Sequence, residues 1–350
     1  MTLKAIIIGT GGWGKTWVTQ TLPKAVQEGQ LEVAAAVDVN PDSLKLAEQC
    51  LGLSSDRCFT ELEQAFAATA PQVCIIASPP HTREHIAVFA MENGCDVLCE
   101  KPLADTLEAS CKIVQKAREL GRKVGVTMTH RFRQPIWTFR ELVRSGNYGA
   151  LDYLVFNFNW NRRDGLKDRQ AKMDNTMLIE GAIHQLDLLE HLAGARCETV
   201  YMDSWTPKWG NFTGSAQAML ALKFENAVRA SYETAWCNAS AQNSWEQEYI
   251  RAEFEHATVV LNRGAVEVFP EEDNIKSGPT GMPVPLKENA KWGNDYLLES
   301  FLQWVHGGPA METNAEANLN SMTLLFAAIE SSKLGMPVRV RQFAADNGLL

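Results

Sequence analysis

An apolar, β-branched run from Leu3 to Ile8 ends directly in Gly9-Thr10-Gly11-Gly12-Trp13-Gly14, and this junction constrains the fold more than any other part of the chain. The spacing is G-x-G-x-x-G, set after a strand signal and before a helical one. In that context Gly9 permits a tight turn, Gly11 lets the backbone approach a pyrophosphate, and Gly14 allows close packing of helix on strand. The helix N-terminus then offers unpaired N–H groups and partial positive charge to an anion. The whole loop, Gly12 and Trp13 included, is therefore a candidate dinucleotide site. Asp38 closes the second apolar run at roughly the 20-residue spacing expected of the carboxylate that bonds the adenosine ribose hydroxyls. A carboxylate there repels a 2′-phosphate, and Val39-Asn40-Pro41 offers no arginine to receive one, so NAD is expected in preference to NADP.

The first 125 residues alternate short strand signals with helical stretches, as parallel βαβ units do. The strands are read at Leu3 to Ile8, Leu31 to Val37, Val73 to Ala77, Val97 to Cys99 and Lys123 to Thr127. Asn40-Pro41 reads as an N-cap followed by Pro, Asp105-x-x-Glu108 as a capping box, and Gly121 as a stop. Pro23 is expected to kink or restart the first helix. Beyond residue 150 the period becomes two: Ala216, Ala218, Leu220, Leu222 and Phe224 share a face, and Val228 to Trp236, Tyr249 to Glu255 and Val259 to Phe269 repeat the pattern. These are antiparallel strands with one covered face. Helices follow at Asp295 to His306 and, behind a capping box at Thr313-x-x-Glu316, through to Lys333.

Composition narrows the class. The 350 residues carry a formal charge of −9, with no basic block of the kind that neutralises phosphates, which argues against a nucleic-acid partner. No apolar run approaches the ~20 residues needed to span a bilayer. The N-terminus reads as a first strand and not as a leader, so a cytoplasmic protein without membrane association is expected. The eight cysteines are scattered without a CxxC pair and read as reduced thiols. His81 and His85 are four apart, but no carboxylate completes a site, so no metal is expected.

Three further segments add chemistry: Ser78-Pro79-Pro80 with His85 downstream, Glu100-Lys101-Pro102 directly after a strand, and Glu180-Gly181-Ala182-Ile183-His184-Gln185-Leu186-Asp187. With the glycine loop they resemble the Gfo/Idh/MocA oxidoreductases over nearly the whole chain. The resemblance implies an α/β chain with an N-terminal Rossmann domain, a doubly wound parallel sheet (residues 1–125), and a C-terminal α+β domain (126–350). The latter would hold a large, open, mainly antiparallel sheet that mediates homodimers or homotetramers. It implies a sugar or cyclitol substrate and assigns catalysis to Lys101 and His184. Glu180 stands where the family usually has Asp. It implies that Ser78, Pro79, His81, Glu100 and Lys101 line the cofactor, and it places substrate contacts near Arg131 and along Asn161 to Lys167, Arg162 among them.

The residues themselves are compatible with those roles. Glu180, His184, Asp187 and His191 fall on one face of an ideal helix, with Ile179, Ile183, Leu186 and Leu189 opposite. A carboxylate that bonds one imidazole nitrogen frees the other for a substrate proton. Asp187 and His191 are read as domain-contact or solvent groups. The proline after Lys101 suggests a fixed backbone, with cis geometry open to it. Of ten tryptophans, Trp160 is the best candidate to stack on a sugar ring, while Trp236 is assigned to sheet packing. The expected activity is hydride transfer from a secondary hydroxyl of a sugar or cyclitol to NAD. An NAD-dependent glycosidase, epimerase or lyase acting by transient oxidation shares every motif, and a catalytically silent NAD or sugar sensor is the third reading.

Overall fold

A computed structural model describes residues 2–163, 175–271 and 280–348, so Asp164 to Lys167 of the expected substrate segment lie outside the described residues. The chain divides into two compact units. One comprises Met1–Thr129 with Lys291–Leu319, the other His130–Ala290 with Asn320–Leu350. Residues 291–319, assigned from sequence to the second half, thus return to the first. Their attachment is local: the Thr313 hydroxyl donates to the Val126 carbonyl (2.7 Å), and Asn314 bridges Gly125.

The first unit is built on a six-stranded, wholly parallel sheet in the order β3 (Cys58–Phe59), β2 (Leu31–Val37), β1 (Leu3–Ile8), β4 (Val73–Ile76), β5 (Asp96–Cys99) and β6 (Val124–Val126). Its strands are buried on both sides, which is why they read as unbroken apolar runs. The two-residue β3 is too short to leave a sequence pattern. The strand order reverses direction between β1 and β4, so the loops leaving these two strands flank the switch point where ligands of such sheets bind.

Pro23 lies in the first turn of a restarted α segment, as expected. Gly14–Thr16 is α-helical, Trp17–Thr21 widens to a π turn, and Leu22–Gln27 resumes the α form. Asn40 caps Pro41–Leu51 as expected, its Oδ1 accepting from the Asp42 N–H. The other two capping boxes shift by one residue: Thr106, not Asp105, accepts from the Ala109 N–H, and Asn314, not Thr313, accepts from the Ala317 N–H. In the second case Thr313 is already engaged by Val126.

The second unit carries a nine-stranded sheet in the order β14 (Met282–Val284), β13 (Ala265–Pro270), β12 (Ala257–Asn262), β11 (Tyr249–Phe254), β7 (Leu151–Asn159), β10 (Arg229–Ala235), β9 (Gln217–Phe224), β8 (Cys197–Trp205) and β15 (Val338–Arg339). All pairs are antiparallel except β7 with β10. One face alternates buried residues such as Leu154, Phe156 and Phe158. The other shows Tyr201 and Met219 to solvent. No helix among the described residues is long and apolar enough to cross a membrane.

Candidate functional site

In the first unit the glycine loop is shaped by close approaches. A methyl group on Gly14 would lie 2.0 Å from the Gly9 carbonyl oxygen, and one on Gly9 would lie 2.7 Å from the Ser78 nitrogen. The loop is thus pressed onto its own helix and onto the Ser78-Pro79 segment that leaves β4. Gly12, at φ +50°, has nothing within 4 Å of where a side chain would start, so the loop keeps an open flank. The bare backbone on this flank leaves room for a pyrophosphate.

Asp38 does something the spacing did not show. Its Oδ2 accepts from the Thr10 N–H (2.7 Å) and the Gly11 N–H (3.0 Å), and its Oδ1 accepts from the Asn40 N–H (2.9 Å). The carboxylate therefore orders the glycine loop as well as standing at the end of β2.

The Glu-Lys-Pro segment leaves the carboxyl end of β5, where the Glu100 N–H still donates to Ile76 (2.8 Å). Glu100 is buried and accepts from two indoles, Trp13 Nε1 at 2.9 Å and Trp17 Nε1 at 2.8 Å, while its second oxygen accepts from the Lys101 N–H. This ties the strand end to the helix that follows the glycine loop. The Lys101-Pro102 bond is cis. Arg83, which no motif marks, is buried and donates to the Ser78, Glu100 and Pro102 carbonyls, joining both cofactor segments through one guanidinium. Ser78 is buried, and His81 is exposed on the short turn Pro80–Thr82.

In the second unit His184 opens the helix Ile183–Ala193, and Glu180 lies in the π turn Met177–Ala182 just before it. The π turn alters the register assumed for Glu180, and the face shared by Asp187 and His191 is turned to a buried arginine and not to water. The helix is buried almost all round, His184, Gln185 and Asp187 included. Gln185 and Asp187 instead have partners within the second unit. Gln185 accepts from the Tyr232 hydroxyl (3.1 Å), and Asp187 accepts from Arg131 through both oxygens and from Ser321 (2.9 Å).

Arg131, which the resemblance places near the substrate, is buried: its guanidinium is paired with Asp187 and lies 3.0 Å from His191 Nδ1, so Asp187 and His191 meet this side chain and not solvent. Arg140 donates to the other nitrogen of His191 at 2.9 Å. A neutral imidazole has one acceptor nitrogen, so it accepts from only one guanidinium at a time.

Trp160 and Arg162 continue β7 beyond its end: their N–H groups donate to the Ala235 and Trp236 carbonyls, both at 2.6 Å. Trp160 meets Trp236 edge to face (5.2 Å between centroids), and the Arg162 guanidinium lies 5.0 Å above the Trp160 ring. Trp236 is buried and packs on Gly181, where any side chain would collide with it at 2.6 Å. The bridge from Asn159 to Asn243 holds the loop carrying Trp245, which the sequence reading did not single out. Trp245 stands edge to face with Trp160 at 6.4 Å, His184 at 5.7 Å and His130 at 6.1 Å. His130 had a signal only in its adjacency to Arg131, and Trp245 only as one of ten tryptophans. Glu248, the acid that His130 meets, had none.

A family described as an oxidoreductase family with an NAD-binding Rossmann fold matches residues 3–128, and the GFO/IDH/MocA C-terminal domain matches residues 136–260. The chain belongs to the Gfo/Idh/MocA family. It is an NAD(P)-dependent oxidoreductase acting on CH–OH groups. Within the family it is 39% identical to an uncharacterized protein of Sinorhizobium fredii, over 98% of this chain and 97% of that one. It is 24% identical to the D-glucoside 3-dehydrogenase of Escherichia coli over 89% and 90% of the two chains. Its fold matches that of an Agrobacterium radiobacter oxidoreductase solved with NAD+, L-tartaric acid and magnesium, with a TM-score of 0.83, 19% identity, and coverage of 98% and 99%.

Proposed function

We propose that this Gfo/Idh/MocA chain is an NAD-preferring dehydrogenase of a secondary hydroxyl on a sugar or cyclitol ring. The observation that carries the reading is the aromatic bay of the second unit, in which buried His184 stands edge-on to Trp245 with Trp160 alongside. Indole faces suit the apolar C–H face of a polyol ring, and an imidazole among them suits its hydroxyls. The glucoside relative's activity agrees with that chemistry.

NAD, when bound, accepts the hydride from the carbinol carbon. The residues supply the rest. His184 accepts the hydroxyl proton as general base, and Lys101 hydrogen-bonds the carbinol oxygen and stabilises the charge that develops there. Glu180 is assigned the orientation of His184. Gly9, Gly11, Gly12, Trp13, Gly14, Ser78, Pro79 and His81 are assigned to cofactor contact, Glu100 to holding the Lys101 segment, and Trp160 and Arg162 to the substrate. Asp38 is assigned the preference for NAD, since the exposed Val39 beside it gives a 2′-phosphate no cation. The solvent face of the nine-stranded sheet, with Tyr201 and Met219, is assigned to homo-oligomer contact.

The test is NADH formation across a panel of neutral and acidic sugars and cyclitols, with NAD and NADP compared. Oxidation of at least one polyol, faster with NAD, is expected. Cleavage or isomerisation without net NADH overturns the net-dehydrogenase reading.

A further inference from the structure

The second unit holds a carboxylate–imidazole pair that no motif marks. His130 and Glu248 are both buried, and His130 Nε2 lies 3.0 Å from Glu248 Oε1. Burial pushes the Glu248 carboxyl up, but the hydrogen bond and charge of His130 and the charge of Arg133 outweigh it, so the group lies below the usual carboxylate range. Glu248 occupies the Nε2 side of the ring, so the remaining polar atom of the imidazole is Nδ1. That Nδ1 is buried and has no hydrogen-bond partner among the described residues.

The ring is fixed on every side. It stacks on Phe156 with 6.1 Å between centroids and 19° between planes, and it stands edge-on to Trp245. The His184 ring stands edge-on to the same indole, and the two imidazole centroids are 5.9 Å apart. Arg133 covers Trp245 at 5.6 Å and lies 3.6 Å from Glu248, so the clamp and the indole are braced by one guanidinium. A buried ring nitrogen held this firmly without a partner, beside the assigned base, is costly unless a ligand satisfies it.

We propose that His130, clamped by Glu248, binds the hydroxyl next to the one His184 deprotonates, so that the chain recognises its substrate as a vicinal diol on a ring. This rests on the dehydrogenase reading above and names its substrate class. The neighbouring hydroxyl hydrogen-bonds to His130 Nδ1 while the reacting hydroxyl gives its proton to His184. Imidazoles this close address one edge of a six-membered ring. His130 takes no part in the hydride step and fixes which carbon is presented to it.

The test measures kcat/KM with NAD for myo-inositol, for a methyl glucoside, and for the monodeoxy analogues of whichever is oxidised, in the wild-type chain and in His130→Ala, His130→Gln and Glu248→Gln. Loss of the neighbouring hydroxyl should cost the wild type about 10- to 100-fold. His130→Ala should cost the parent substrate a similar factor and the deoxy analogue almost nothing more, because both changes remove the same hydrogen bond. Glu248→Gln should raise KM more than it lowers kcat. Melting temperature and NAD binding report folding, and if His130→Ala does not fold, His130→Gln carries the comparison. Losses that multiply independently overturn this inference and leave the dehydrogenase reading intact. A wild type that oxidises no polyol overturns both.

Discussion

Arg131 holds Asp187 through two parallel hydrogen bonds, Nε to Oδ2 at 2.5 Å and Nη2 to Oδ1 at 2.7 Å, with both residues buried. This fork joins the turn Thr129–Phe132 to the helix Ile183–Ala193. Removing one partner strands a buried charge, which typically costs about 3–5 kcal/mol. Asp187→Ala should therefore lower the unfolding free energy by that order and bring the urea midpoint down with it. An unchanged midpoint with a raised KM would instead make Arg131 a substrate ligand.

His191 predicts a pH dependence of stability. Burial, and then the charges of Arg131, Arg140 and Arg144, push its imidazole down to about 2. The unfolded chain takes up that proton near the ordinary value of about 6.5. Below that pH the unfolded state holds a proton the folded state lacks, so the stability tied to neutral His191 is complete above pH ~6.5 and is lost as pH falls. His191→Gln keeps an acceptor and cannot be protonated. Its melting temperature should fall less steeply than the wild type's between about pH 6.5 and 5; parallel curves would remove His191 as the cause.

Gly14 and Gly12 should respond to alanine in opposite ways. At Gly14 the new methyl meets backbone at 2.0 Å, so the loop must move and the first unit should lose NAD binding and thermal stability together. At Gly12 the methyl meets nothing within 4 Å and costs only the left-handed conformation, roughly 1–2 kcal/mol. Gly12→Ala should fold and bind NAD more weakly, since the methyl then occupies the open flank. Calorimetric titration with NAD checks both.

Lys101→Ala should cut kcat by roughly 10²- to 10⁴-fold, the range for removal of a positioned proton-handling group, while NAD affinity measured by quenching stays within a few-fold. Near-normal turnover would remove Lys101 from the reaction.

The first sheet was legible because strands covered on both sides must be apolar throughout, and β1 and β2 lie where their runs predicted. The glycine loop was legible because close backbone approach admits only glycine. The helix from Ile183 was misread for the complementary reason: periodicity assigns polar residues to water, and it cannot show that Asp187 or Gln185 has a partner far along the chain. The π turn at Met177–Ala182 has no sequence mark, so the register of Glu180 was out of reach as well. Glu248 is the second of two acids just before β11, with Glu246, and only the fold brings it to His130.

The return of residues 291–319 to the first unit makes the chain pass from one unit to the other three times, after Thr129, Ala290 and Leu319. A chimera that exchanges the second unit with a relative's therefore needs three junctions. A single cut near residue 125 would carry away Thr313 and Asn314, which bond the backbone of β6, and would leave the outermost strand of the parallel sheet with a bare edge. Bare edges recruit other strands, so such a fragment should be sticky in solution however well its nucleotide loop is formed.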